Sequence, residues 1–247
     1  MLEVAYDGTN YCGWQVQPNG ITVQEVLNRH LSELLQEPIE TIGASRTDAG
    51  VHALGNIAVF DTSARMPGEK ISYALNQRLP EDIRIQMSKE VAADFHPRYV
   101  KSEKTYAYRI LNRRFPVPTE RLYSHFTYVP LDVDRMAEAG QYLLGEHDFK
   151  SFCTPRTQVR STVRTIYDLT LTKEGDEIRM RITGNGFLYN MVRIMAGTLL
   201  MTALGKLTPE DVPHILISGD RSLAGITAPP DGLYLTRVSY TPYAGKK

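Results

Sequence analysis

The run of residues 44–53, Ala-Ser-Arg-Thr-Asp-Ala-Gly-Val-His-Ala, concentrates reactive side chains in one short segment. Asp48 supplies a carboxylate, Arg46 a guanidinium and His52 an imidazole. A positioned carboxylate can act as a base or as a nucleophile. The same pattern is also typical of a surface turn closed by Gly50, in which Asp48 bonds to its own backbone. The neighbouring Arg46 favours the functional interpretation.

The residues on either side of this run predict how it is held. Residues 39–43 mix apolar and polar types, and residues 56–60 form a short, mainly apolar run. Both stretches are interpreted as strands. Asp48 is therefore expected on a connection between two strands, where functional side chains often lie.

The first hundred residues predict a sheet with helices. A strand over residues 2–6 is followed by a helix that starts at the capping box Thr22-Val-Gln-Glu and ends at Pro38. A second helix is expected over 68–79 and a further strand over 83–87. Strands and helices in this order predict an α+β fold.

The second half repeats this order of elements in outline, without a sequence repeat. The stretch 94–99 marks the domain boundary. With its last residues assigned to the first domain, the domains are 1–101 and 102–247. The expected elements are a strand over 104–110, a helix over 132–144, a loop over 150–164, a hairpin of 165–172 and 177–183, a helix over 187–204, a short helix capped by 208–211 and a strand over 232–238.

The strand over 104–110 places Tyr106 and Tyr108 on the same side. Aromatic side chains next to basic residues suit stacking on nucleobases, which contributes roughly 1–3 kcal/mol per base. Each tyrosine could equally pack in the core.

Arg193 lies in the most apolar stretch of the chain. A buried charge needs a partner, because an unpaired buried ion costs several kcal/mol. Asp48 is a suitable partner from the other half of the chain. The alternatives are another acid, or a side chain that extends to the surface.

The formal charge is zero, with 28 basic and 28 acidic residues, but the distribution is uneven. Residues 98–121 hold seven basic side chains and two acids, and residues 150–165 hold four basic side chains and no acid. Such segregation fits either a basic groove for nucleic acid or ordinary solvated faces. The two cysteines have no metal-ligand spacing, and we find no signal-peptide pattern and no apolar stretch long enough to cross a membrane. A cytoplasmic protein is therefore expected.

Several stretches resemble the TruA family of tRNA pseudouridine synthases, and they occur in order along the whole chain. They are Tyr-Asp-Gly-Thr at 6–9, Gly-Trp-Gln at 13–15, Arg-Thr-Asp-Ala-Gly-Val-His-Ala at 46–53, Phe-His-Pro-Arg at 95–98, Lys-Thr-Tyr at 104–106, Gly-Glu-His-Asp-Phe at 145–149 before Ser-Phe at 151–152, Gly-Asn-Gly-Phe-Leu at 184–188 before Met-Val-Arg at 191–193, and Pro-Asp-Gly-Leu-Tyr-Leu at 230–235. The family usually has Gly where this chain has Ser45.

The resemblance implies a fold of two similar sheet domains with helices on the outer face, whose sheets form a central RNA-binding cleft. It implies an isomerase that converts uridine to pseudouridine at positions 38 to 40 of the tRNA anticodon stem-loop. Members of the family are homodimers that contact the stem-loop and elbow of the tRNA. They need no cofactor, metal or membrane.

The resemblance also implies roles for single residues. Asp48 matches the catalytic aspartate, and Tyr106 matches the tyrosine that stacks on the target base. Arg193 matches the arginine that pairs with the aspartate. Arg46 matches an arginine that helps to displace the target nucleotide, and Leu233 lines the pocket.

The reaction explains these residue types. Uracil must leave C1′ through N1, turn, and rejoin through C5, which needs neither a redox step nor an external nucleophile. The target must first leave the stem, at a cost of a few kcal/mol. Asp48 must be anionic, either to attack the sugar or base or to remove a sugar proton, and the sequence leaves both open.

Two other classes of protein remain possible from the residues alone. A non-catalytic RNA-binding module would share the basic stretches and the order of elements. A hydrolase of glycosidic bonds would need a second carboxylate near Asp48, and the loop holds none.

We predict that tRNA binding weakens steeply as salt increases, although the protein is neutral overall. Each phosphate contact to a duplex contributes about −0.9 to the slope of log K against log salt. We assign backbone contacts to Arg156 and Arg160 in the second basic stretch, so reversing both charges should flatten the slope. Filter binding over a salt series measures it, and a slope near zero for the unmodified protein would show that no basic groove exists.

Overall fold

A computed structural model describes residues 1–154 and 159–241 of the chain. They form two compact units: one holds Met1–Ser102 together with the chain from Tyr234 onward, and the other is Glu103–Leu233. Both units combine strands and helices, so the expected α+β class is confirmed.

The helices and strands follow one another closely in both units. In chain order they are β1 (Leu2–Tyr6), α1 (Val23–Leu35), β2 (Ile42–Gly43), β3 (His52–Val59), α2 (Gly68–Asn76), β4 (Ile83–Ser88), β5 (Ser102–Asn112), β6 (His125–Thr127), α3 (Val133–Gln141), β7 (Gly145–Asp148), β8 (Val163–Glu174), β9 (Glu177–Gly184), α4 (Met191–Ala203), α5 (Asp211–Ser218) and β10 (Leu233–Tyr240). None of the helices among the described residues is both long and apolar enough to cross a membrane.

The sheet of the first unit has the strand order β4-β1-β3-β10. β1 runs antiparallel to β3 and to β4, and β2 adds a short antiparallel pair at the start of the Asp48 connection. β10 joins β3 in parallel, with Tyr234 opposite His52 and Leu235 opposite Ala53. The last strand of the chain therefore belongs to the first unit, whereas the sequence-based division placed it in the domain 102–247.

The sheet of the second unit has the strand order β5-β9-β8-β7, with every pair antiparallel, and β6 lies parallel to β5. Alternate residues of β9 are buried, as expected for a strand that covers a core with one face. α4 is buried on nearly every side. A Cβ on Gly197 would collide with the carbonyl of Ile226, so the chain after α5 lies directly against the backbone of this helix.

α1 begins where the capping box predicts. The Thr22 hydroxyl accepts a hydrogen bond from the Glu25 N–H at 3.3 Å, which satisfies one of the free donors at the helix start. The helix ends at Leu35 because Gln36 takes a left-handed conformation (φ 57°), shortly before Pro38.

Several expected elements have different bounds in the structure. The strand expected over 39–43 is reduced to Ile42–Gly43, because side chains of α1 take its backbone donors: Ser32 accepts from the Ile39 N–H at 2.8 Å and Asn28 from the Thr41 N–H at 2.9 Å. The strand expected from residue 56 starts at His52. The helix expected from residue 187 starts at Met191, because Asn190 has a left-handed backbone (φ 60°).

Candidate active site

The segment 44–51, which we call the Asp48 loop, connects β2 to β3 as predicted. The Val51 N–H donates to the Asp48 carbonyl at 3.2 Å, and Gly50 has φ 78°. The features of a tight turn are therefore present. Asp48 is half-buried within this turn.

Residues 6–14 hold the Asp48 loop mainly through the backbone. The Trp14 N–H donates to the Thr47 carbonyl at 3.1 Å, and the Gly50 N–H donates to the Tyr11 carbonyl at 3.3 Å. The Tyr6 and Thr47 hydroxyls form a buried hydrogen bond of 2.7 Å. Because Thr47 is bonded through both its carbonyl and its side chain, the backbone that precedes Asp48 has little freedom.

Two glycines allow this close approach. Gly13 has φ 80°, and a Cβ there would lie 2.5 Å from the Thr47 oxygen and 3.0 Å from the Asp48 carbonyl carbon. A Cβ on Gly8 would collide with the Val51 carbonyl. Both glycines lie in stretches that resemble the family, but the sequence did not reveal that the Asp48 loop packs against them.

Asn56 holds the start of the Asp48 loop and was missed by the sequence analysis. Its fully buried side chain accepts from the Ser45 N–H at 3.2 Å and donates to the Ser45 carbonyl at 3.0 Å. Arg46 follows directly, and its exposed guanidinium makes no hydrogen bond or ion pair with any described residue. The amide of Asn56 thus fixes the Ser45 backbone, and the exposed Arg46 guanidinium extends from the next residue.

Ser45, where the family usually has Gly, is also buried. Its hydroxyl has no hydrogen-bond partner among the described residues. A buried hydroxyl without a partner is unfavourable, so the departure from the family pattern has a cost in this chain.

His52 is buried and serves as a link in the first unit. Its ring stacks on Tyr234 with 4.7 Å between centroids. Its Nδ1 lies 3.1 Å from the Gly8 N–H nitrogen and 3.1 Å from the Asp7 carboxylate. The end of the Asp48 loop is thereby connected to β10 and to the turn after β1.

In the second unit, Tyr106 and Tyr108 point to the buried side of β5. Tyr106 is 8% exposed and packs edge-to-face against Phe187, at 5.2 Å and 83°. Tyr108 is completely buried, and its hydroxyl donates to the Pro229 carbonyl at 2.9 Å. Burial raises the pKa of Tyr108 well above its ordinary value, which keeps the phenol neutral. Tyr108 is therefore a core residue.

Arg193 lies half-buried in the first turn of α4. Its Nε donates to the Ala228 carbonyl at 2.7 Å, and its Nη1 donates to Asn190 Oδ1 at 3.1 Å. The guanidinium is therefore fixed by protein acceptors of its own unit. Leu233, also predicted as a site residue, is 4% exposed and opens β10 after a 3₁₀ turn.

Arg156 and Arg160 are the two arginines assigned to RNA contacts. Arg160 is exposed, as a backbone contact requires. Arg156 lies outside the described residues. Within 1–154 and 159–241, no cluster of three or more His, Cys, Asp or Glu side chains could hold a metal ion.

The family model described as tRNA pseudouridine synthase matches residues 3–100 and 139–241. The chain therefore belongs to the tRNA pseudouridine synthase family, whose members are isomerases.

Bacterial relatives match nearly the whole chain. A tRNA pseudouridine synthase A of Thermoanaerobacter pseudethanolicus is 50% identical over 97% of this chain and 98% of its own. The synthase of the same name from Ruminiclostridium cellulolyticum is 48% identical, and the tRNA pseudouridine synthase A 2 of Clostridium perfringens is 47% identical. Both alignments cover 97% of this chain and 98% of the relative.

We predict that Gly13→Ala lowers both the free energy of unfolding and the activity. The left-handed backbone and the collision with Thr47 together should cost roughly 2–5 kcal/mol. Gly175→Ala is the matched control, because Gly175 also has a positive φ (59°) but a Cβ there would meet nothing within 4 Å. It should cost only about 1–2 kcal/mol and leave activity unchanged. Urea unfolding and a turnover assay measure both effects, and equal costs would contradict the close approach.

Proposed function

We propose that this protein isomerises uridine to pseudouridine at positions 38 to 40 of the tRNA anticodon stem-loop. It would act in the cytoplasm as a homodimer that also contacts the tRNA elbow. Membership of the tRNA pseudouridine synthase family supports the reaction. The observation that carries the proposal is the half-buried Asp48, whose backbone is fixed by residues 6–14 within the motif that resembles the TruA family.

The reaction exchanges one bond to the ribose for another. The N1–C1′ bond breaks, the C5–C1′ bond forms, the C5 hydrogen leaves as a proton and N1 ends protonated. Asp48 is the catalytic group of the proposal, either as a nucleophile or as the base that takes a sugar proton. A backbone fixed before the substrate arrives favours either role, because little freedom is lost when the transition state forms.

Arg193 is the proposed partner of the Asp48 carboxylate. A guanidinium nearby favours the anion and makes it a weaker base. Positioning must therefore supply much of the rate. The contacts of Arg193 with Ala228 and Asn190 support this role, because they hold its guanidinium in one orientation.

The remaining site residues are proposed to handle the displaced nucleotide. Extruding a stacked base costs a few kcal/mol, and an arginine that enters the vacated space offsets part of that cost. The exposed guanidinium of Arg46, which has no partner in the described chain, is suited to this. Tyr106 would stack on the target base, with its ring already oriented by Phe187, and Leu233 would line the pocket.

Phosphate contacts are assigned to Arg156 and Arg160. The exposure of Arg160 supports its assignment. These contacts would orient the tRNA without reading its sequence.

Asp48→Asn should abolish pseudouridine formation and leave tRNA binding within several-fold. The substitution preserves size and removes only the anion. Unmodified tRNA transcripts should be incubated with each variant, and pseudouridine should then be mapped at single positions. Asp61→Asn, at an exposed aspartate after β3, is the matched control and should retain activity.

Two results of this experiment would contradict the proposal. Turnover by Asp48→Asn above a trace would remove Asp48 from its role. Pseudouridine outside positions 38 to 40 would show that the proposed target is wrong, whereas binding without product from the unmodified protein would favour an RNA-binding module.

A double-mutant cycle tests the proposed pair of Asp48 and Arg193. Arg193→Met and Asp48→Asn should each lower the free energy of unfolding, because the remaining half-buried group loses its partner, at a cost below the roughly 3–5 kcal/mol of a fully buried pair. The double variant should cost less than the sum of the single variants. Strict additivity in urea unfolding would show that Arg193 serves another group.

A further inference from the structure

Asn190 precedes α4 and does not cap it in the usual way. The side chain of an N-cap residue normally accepts a hydrogen bond from a backbone N–H in the first turn of the helix. The side chain of Asn190 makes no such bond. Its Oδ1 instead accepts from Arg193 Nη1 at 3.1 Å, and its Nδ2 donates to Thr154 Oγ1 at 2.8 Å.

The chemistry of the partners fixes how this amide is oriented. A guanidinium has donors only, so the oxygen of the Asn190 amide must face Arg193. The amide nitrogen must then face Thr154, whose hydroxyl accepts. A rotation of the amide by 180° would place two donors against each other, so the contact has one allowed orientation.

The guanidinium has a second anchor in the segment between α5 and β10. Arg193 Nε donates to the Ala228 carbonyl at 2.7 Å, and the Ala228 N–H donates back to the Arg193 carbonyl at 3.1 Å. The chain before Ala228 is tied to the same helix, since the Gly225 N–H donates to Thr198 Oγ1 at 2.9 Å. Because a guanidinium is planar and rigid, bonds to two of its nitrogens define the whole plane.

We propose that Asn190 is a positioning residue that holds the Arg193 guanidinium in the orientation used for catalysis, and that Thr154 holds Asn190 in turn. This inference rests on the proposed function, in which Arg193 supports the Asp48 anion. Thr154 is itself fixed, because its N–H donates to the Tyr189 carbonyl at 3.3 Å. The hydrogen bonds from Asn190 to Thr154 and from Arg193 to Asn190 thus connect the segment after β7 to the arginine.

The left-handed backbone of Asn190 allows the side chain to be tested separately from the conformation. Glycine adopts φ 60° without strain, so Asn190→Gly keeps the backbone and removes the amide. Aspartate also tolerates this conformation. Asn190→Asp, however, replaces the neutral acceptor with a second carboxylate that competes for the guanidinium. Gln36→Gly is the matched control, because Gln36 is another amide residue with positive φ (57°) and lies at the end of α1.

The experiment separates binding from chemistry. Release of tritium from tRNA labelled at C5 of uridine gives the single-turnover rate constant at saturating enzyme, because the C5 hydrogen leaves when C5 joins the ribose. Filter binding gives the Kd for tRNA, and urea unfolding checks that each variant folds. A displacement of about 1 Å at a reacting group costs on the order of 10²-fold in rate, so Asn190→Gly should lose about that factor.

The expected pattern distinguishes positioning from a structural role. Both Asn190 variants should lower the rate constant while the Kd stays within about threefold of wild type, since the lost interaction acts on the chemical step. Thr154→Val should lower the same rate constant by a smaller factor. Gln36→Gly should match wild type in all three measurements.

Three results would overturn the inference. The first is wild-type rates in both Asn190 variants. The second is full activity of Asn190→Asp beside an impaired Asn190→Gly, which would mean that the neutral amide is not what the site requires. The third is a loss explained wholly by weaker tRNA binding or by unfolding. A wild-type protein that releases no tritium would instead refute the proposed function, and the inference would fall with it.

Discussion

The hydrogen bond from the Trp14 N–H to the Thr47 carbonyl ties two connections of the first unit together, and much of the site depends on it. The bond requires the two backbones to approach more closely than a side chain at residue 13 would permit. Gly13 provides that space with a left-handed backbone. The Tyr6–Thr47 hydroxyl contact then fixes the same residue from the side. The backbone directly before Asp48 is therefore held in place before any substrate binds.

Amide side chains repeatedly supply hydrogen-bond partners to backbone groups in or beside the strands of the first unit. Asn56 does so for Ser45, and Asn28 does so for Thr41. Asn76 bonds to both the N–H and the carbonyl of Ile85. An amide offers a donor and an acceptor in one rigid plane, which suits it to satisfy exposed peptide groups in connections. Of these contacts, those of Asn56 hold the start of the Asp48 loop.

Arg193 shows how a cation can be kept in an apolar helix. Its guanidinium reaches the Ala228 carbonyl and the Asn190 amide, so part of its hydration is replaced by protein acceptors. Both of these acceptors are neutral groups. The sequence predicts that an arginine in so apolar a stretch needs partners, and the amide and the carbonyl were not anticipated. The pairing with the Asp48 carboxylate stays a proposal.

The sequence by itself determined the α+β class, most of the elements and the loop that carries Asp48, because periodicity, capping residues and glycines act over a few neighbours. β1 and the capping of α1 were predicted from such local signals, and the motif series identified the family. Only the tertiary structure decided that β10 pairs with β3, that His52 stacks on Tyr234, and that Asn56 and Asn190 hold the residues around Asp48 and Arg193. β10 and β3, His52 and Tyr234, and Asn56 and Ser45 are distant in the chain. Asn190 is only three residues from Arg193, but its second bond reaches Thr154, 36 residues away. No local pattern encodes which of many equivalent donors and acceptors will meet, and the packing of the whole unit makes that choice.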